Sequence, residues 1–113
     1  MPEHITYTYF LEAIGGTVGN KKVMSAHFNM IIDRILILFQ SGSAFKLSIV
    51  FYVGNTQFVP DSGDIRGDGH VVELFPRKPL PEGFDLMLRY SNEDTSNQFA
   101  LIIIEASEVE GET

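Results

Sequence analysis

Residues Ile35 to Gly54 read ILILFQSGSAFKLSIVFYVG, two apolar runs around the polar break Gln40-Ser41-Gly42-Ser43. The second run alternates. Phe45, Leu47, Ile49, Phe51 and Val53 fall on one side, and Lys46, Ser48, Val50 and Tyr52 on the other. Successive side chains leave a pleated backbone on opposite faces, so period two marks a strand with one face on a core and the other open. Phe and Ile suit such a half-buried, pleated surface. The open face of this strand, Ser48, Val50 and Tyr52, is the first candidate for a binding surface.

Toward the N-terminus, Val23 to Phe39 supports two readings. At helical spacing Met24, Phe28, Ile31, Ile32, Ile35, Leu38 and Phe39 gather on one face and Asn29, Asp33 and Gln40 opposite, with Ser25 placed to cap the start and Gly42 the end. Periodicity alone therefore predicts a helix over residues 25–40 and an α+β alternative. Against it stand the β-branched Ile31, Ile32, Ile35 and Ile37, and Asp33-Arg34, which can break the run into two shorter strands. Further back, Ile5 to Leu11 alternates as a strand, and Gly15-Gly16 and Gly19-Asn20 punctuate turns.

Toward the C-terminus, Thr56–Val59, His70–Phe75 and Phe84–Tyr90 read as strands. Residues 61–69, DSGDIRGDG, read as a loop, and Pro76, Pro79, Pro81 and Gly83 as a stiff connection without a helix. Gln98–Ala106 is apolar enough for a central or doubly covered strand. Short strands with turn signals between them follow the rhythm of a sandwich.

The 113 residues make one domain, 1–113, long enough to bury a core without staples. Cysteine is absent, which removes disulfides and thiolate metal sites and fits a reducing compartment. The net charge of -7 argues against nucleic acid and against anionic membranes, both of which need a basic surface. Glu105, Glu108, Glu110 and Glu112 read as a solvated, frayed tail. No signal peptide is visible and no apolar run spans a bilayer, so the expected location is cytoplasmic or non-classically secreted.

In order, several short motifs resemble the galectin family. They are Tyr9-Phe10-Leu11 with Gly15-Gly16, then Arg34-Ile35 and Phe39-Gln40-x-Gly42, then Phe75-Pro76, Gly83-Phe84 and Phe99-Ala100. The likeness covers about residues 9 to 103, with a gapped region between Gly54 and His70. It implies an all-β, two-sheet antiparallel β-sandwich of galectin-like jelly-roll type, and replaces the helix by two strands. It also implies carbohydrate recognition on the Ser48/Val50/Tyr52 face. There the family's His, Asn and Arg positions are taken by Ser48, Val50 and Tyr52, and none matches. The family's Trp position falls near Arg66, its Glu and Arg near Gly69 or His70 and Val71, and the chain has no Trp. A site built for hydroxyls loses heavily when its polar partners go. The standard β-galactoside site is therefore degenerate or absent.

The literal His27-Phe28-Asn29 lies too early to serve as the family's motif. Tyr7, Tyr9, Tyr52 and Tyr90 offer stacking surfaces, but strand packing explains them equally. Arg66-Gly67-Asp68 spells an adhesion-type tripeptide within a turn-rich loop. Asp61, Asp64 and Asp68 lack the spacing of a calcium loop, and His4, His27 and His70 are dispersed, so no metal or cofactor is expected. With no nucleophile elbow and no phosphate loop, the chain reads as a non-enzyme. Two functions follow: a lectin-type module for a glycan, or a protein-interaction and dimerisation module. In the second, Phe99–Ile104 would supply an apolar edge for a homodimer.

Overall fold

The computed structural model describes residues 4–42 and 45–109. Ten strands make up 64% of the described residues, with no helix among them. They are β1 (His4–Ala13), β2 (Val18–Ser25), β3 (Met30–Phe39), β4 (Leu47–Val53) and β5 (Thr56–Val59). There follow β6 (Ile65–Arg66), β7 (Val71–Leu74), β8 (Lys78–Leu80), β9 (Asp85–Asn92) and β10 (Gln98–Glu108). Sheet A runs β1-β10-β3-β7, with β8 also on β3; sheet B runs β2-β9-β4-β5, with β6 also on β4. Every pairing is antiparallel. The paired orders β1-β10-β3-β7 and β2-β9-β4-β5 are those of a jelly roll.

The core lies between the sheets. Leu11, Ile35, Ile37, Ile102 and Ile104 come from sheet A, and Leu47, Ile49, Phe51, Leu86 and Leu88 from sheet B, all without solvent exposure. Each such side chain contributes about 1.5–3 kcal/mol of burial energy. The strict alternation of Leu47, Ile49 and Phe51 thus produces the two-layer wall that the sequence pattern demands.

The expected all-β, two-sheet antiparallel sandwich is what the chain forms, and the alternative helix over residues 25–40 is absent. β2 ends at Ser25, the chain turns through 26–29, and β3 starts at Met30. The misleading spacing has a physical source. Glu105 pairs with Arg34 but Ala106 with Ile32, so Asp33 is an extra residue in a β-bulge. Inward positions Met30, Ile32, Ile35, Ile37 and Phe39 therefore contain one step of three, which imitates helical spacing. Asp33-Arg34 bends the strand without breaking it.

Other expectations change too. Phe45 leaves the strand alternation with φ 61° and 52% exposure, so the regular face starts at Leu47. Gly19 lies inside β2 and not in a turn; a Cβ there would come within 2.7 Å of the Tyr90 ring. The 61–69 loop holds β6, and the proline-rich connection holds β8. Glu105 and Glu108 belong to β10 rather than a frayed tail, while Glu110 and Glu112 lie outside the described residues. β10 is interior, bonded to β1 and β3, so Phe99–Ile104 offers no free edge.

A buried polar knot fastens the far loop. Asn92 Nδ2 donates to the Ala13 and Ser96 carbonyls, both at 2.9 Å, and its Oδ1 accepts from Asp94 N–H. Gln98 Nε2 donates to Asp94 Oδ2 at 2.7 Å. These bonds satisfy the Asn92 amide and Gln98 Nε2, which would be costly to bury alone, while the buried Gln98 Oε1 has no partner among the described residues. They also fix the 92–98 turn against the end of β1, which sets the register of β10.

Candidate functional site

Two solvent-facing sheet surfaces remain once the core is assigned. The first is the outer face of sheet B, where Ser48, Val50 and Tyr52 do lie together. Their cross-strand neighbours on β9 are Ser91, Arg89 and Met87, which share the face because paired residues sit side by side. Ser48 is 7% exposed, tucked between Ser91 and Arg66, while Val50 and Tyr52 are half-buried. Next to them is a shallow depression of about 370 Å³ lined by Asn20, Tyr52, Asn55, Met87 and Arg89. Arg89 is exposed and forms no ion pair among the described residues.

Arg66 adjoins this face but is committed elsewhere. Its guanidinium donates to Glu93 and Asp64 at 3.2 Å and to the Phe45 carbonyl at 2.9 Å. Its hydrogen bonds to Glu93, then to Asp64, raise its pKa, and this fixed cation braces the end of sheet B. His70 lies apart, beside the β7 end of sheet A. Its carbonyl accepts from Phe39 N–H, and its ring sits 6.2 Å from that of Phe45. The sequence-derived set thus separates into a trio, a structural brace and a distant histidine.

The remaining motifs also do structural work. Gly67 packs under the Phe39 ring, 2.4 Å from where its Cβ would stand, and Asp68 accepts from Gly42 N–H at 2.7 Å. Asn29 accepts from Glu82 N–H at 2.9 Å, which ties the His27-Phe28-Asn29 turn to the β8–β9 connection. Asp61 pairs with Lys78 and Asp64 with Arg66. Among the described residues no three acids, histidines or cysteines converge as a metal site. No helix among them is long and apolar enough to cross a membrane.

The second surface is the outer face of sheet A. One cross-strand row is Phe10, Leu101, Leu38 and Val71 on β1, β10, β3 and β7. The next is Thr8, Ile103, Leu36 and Glu73. Above them Phe99 stacks on Phe10 with ring centroids 5.7 Å apart. Phe10 is 61% and Val71 51% exposed. Below the apolar rows, Arg34 lies between Glu73 at 2.7 Å and Glu105 at 3.4 Å. The Glu73 contact is ionic, because its angle does not make a hydrogen bond. Beyond it is a depression of about 510 Å³ lined by Asp33, Arg34, Arg77 and Glu105 among others.

The signal for this face was the apolar character of both sides of the Gln98–Ala106 run. Its inner residues Ala100, Ile102 and Ile104 are buried; its outer residues Phe99, Leu101 and Ile103 are only half-buried. Among the described residues nothing covers the outer side of this strand, where double covering is one of the two expectations for such a run. Leu36 and Leu38 on β3 repeat the situation beside it.

No family model and no curated protein matches the sequence. Among solved structures the chain is similar to one described as "Bacillus endospore appendages form a novel family of disulfide-linked pili", with TM-score 0.54, 10% identity, and 98% of this chain and 92% of that one covered. It is also similar to FLHE, with TM-score 0.48, 7% identity and coverage of 90% and 96%. A third is the Yersinia pseudotuberculosis-derived mitogen, with TM-score 0.41, 12% identity and coverage of 100% and 92%. At these identities the likeness is one of fold.

Proposed function

We propose that this chain is a non-enzymatic protein-interaction module whose working surface is the outer face of sheet A. One observation carries the reading: two adjacent central strands are apolar on both sides along residues 36–39 of β3 and 99–104 of β10, and among the described residues only the inner side is covered. Contiguous exposed apolar patches on soluble domains mark interaction sites, because leaving them in water forgoes burial energy. A fold of this kind is described in disulfide-linked pili. This chain has no cysteine, so association here rests on non-covalent surfaces.

Photo-leucine at position 101, irradiated in extract of the source cells, tests the reading without naming a partner. Protein crosslinks are expected from position 101, with a second copy or another protein, and not from position 87 on sheet B. Absence of any crosslink from position 101 would overturn it.

A second reading keeps a glycan on sheet B. It is favoured by the half-buried Tyr52 ring in the same depression as Arg89, which is exposed and makes no ion pair among the described residues. An aromatic ring and a bidentate donor are the parts a sugar needs, with Asn20 and Asn55 as further polar groups. The galectin-like resemblance adds to it, although Ser48 is too covered to contact a ligand. A glycan array with Tyr52→Ala as control tests it; binding lost in the variant supports it, and a flat array removes it.

A further inference from the structure

We infer that the occupant of sheet A's outer face is a second copy of the same chain, laid face to face about a two-fold axis parallel to the strands, between β3 and β10. This rests on the interaction-module reading and names its partner. Size is the first argument. A residue on a sheet face occupies about 32 Å², from strands about 4.8 Å apart and same-face residues about 6.7 Å apart. The seven apolar side chains therefore cover about 200 Å² in projection, and the whole four-strand face about 600 Å². Protruding side chains raise that area toward the roughly 800 Å² per partner of a stable interface.

Charge register is the second argument, and it selects the axis. Rotation about a line parallel to the strands places β10 of one copy over β3 of the other and keeps every row at its own level. Leu101 then meets Leu38, Ile103 meets Leu36, and Phe10 meets Val71. One row lower, Arg34 meets Glu105 of the partner copy, twice by symmetry, because these two residues are cross-strand partners in each chain. Glu73 meets Thr8, so no acid in these rows faces an acid despite the net charge of -7. The crosswise axis reverses the rows instead and drives Glu105 toward the apolar end around Phe99. Two twisted sheets stack in this aligned manner about 10 Å apart, at about −30°.

The test is sedimentation velocity across a wide concentration range, using the full chain and three variants. The wild type is expected to shift from monomer to dimer with rising concentration. Leu101→Lys should weaken the dimer at least tenfold. Arg34→Glu makes positions 34 and 105 both acidic, and Glu105→Arg makes both basic, so each variant alone should also lose at least tenfold. Their equimolar mixture should recover the dimer, because each acidic pair then faces a basic pair. Recovery on mixing cannot come from a merely unfolded variant. A wild type that stays monomeric throughout overturns the second-copy assignment, as does a mixture no better than its components. The interaction-module reading falls only if position 101 also gives no crosslink to any protein.

Discussion

The two outer faces of this sandwich rest on the same kind of support and carry opposite chemistry. Each is the back of a sheet of antiparallel strands whose inner residues pack into the core, fully buried at the centre and half-buried at Tyr7, Tyr9, Val72 and Leu74. Sheet A's outer face shows Phe10, Leu38, Val71 and Leu101 with acids at its margin. Sheet B's shows Asn20, Lys22, Met87, Arg89 and Tyr52 on its paired strands. Folding needs only the inward half of each alternation. The outward half is free to vary, and where it stays apolar against the cost of hydration, something other than the fold accounts for it.

The largest expected effect separates inside from outside on one strand. Ile102→Ala should cost about 2–5 kcal/mol in urea unfolding, since it opens a cavity in a wall without solvent access. Leu101→Ala, next to it but facing outward, should cost about 1 kcal/mol or less when measured at a concentration that keeps the chain monomeric. Equal costs would break the distinction between the two faces of β10. Arg66→Ala comes next, at about 1 kcal/mol by thermal denaturation, because its pairs are partly exposed and screened. Loss on that scale identifies it as a brace of sheet B, and unchanged stability would return it to the list of ligand residues.

A smaller effect appears in alkali. Burial, then the charge of nearby Tyr90, raises the Tyr9 pKa above its ordinary value of 10.0. The folded chain therefore keeps a proton that the unfolded chain releases. That contribution is complete below pH 10 and is lost as pH climbs through the folded value. Stability followed by circular dichroism should decline more steeply above pH 10 in wild type than in Tyr9→Phe. The smallest effects belong to sheet B's open face. Arg89→Ala, at an exposed position, should stay within about 0.5 kcal/mol of wild type in melting experiments, and Tyr52→Ala, which removes a half-buried ring, should lose about 1 kcal/mol or less. Larger losses would mean that this face is structural.

The alternation from Leu47 to Tyr52 made one strand and its open face legible from the sequence, and with it the sandwich. The β3 segment misled because a single inserted residue, Asp33, converts period two into something resembling period three or four. The β-branched Ile31, Ile32, Ile35 and Ile37 argue locally against a helix, but only the pairing with β10, far along the chain, locates the bulge. The shared face of Ser48, Val50 and Tyr52 is legible in the alternation of β4 alone. Arg89 escaped notice because its adjacency to Val50 depends on β9 pairing with β4. His70 was grouped with them by gapped resemblance, whereas the strand order sends it to the other sheet's edge. The apolar face of sheet A was half visible in the Gln98–Ala106 run. Its breadth was not, because Phe10, Leu38 and Val71 join Leu101 only through three long-range ladders.

Hydroxyl-radical footprinting at increasing protein concentration compares the two faces in a single experiment. Oxidation of Phe10, Phe99 and Leu101 should fall as concentration rises, while Met87 and Tyr52 stay equally reactive. If both faces are labelled alike at every concentration, the outer face of sheet A is not where copies of this chain meet.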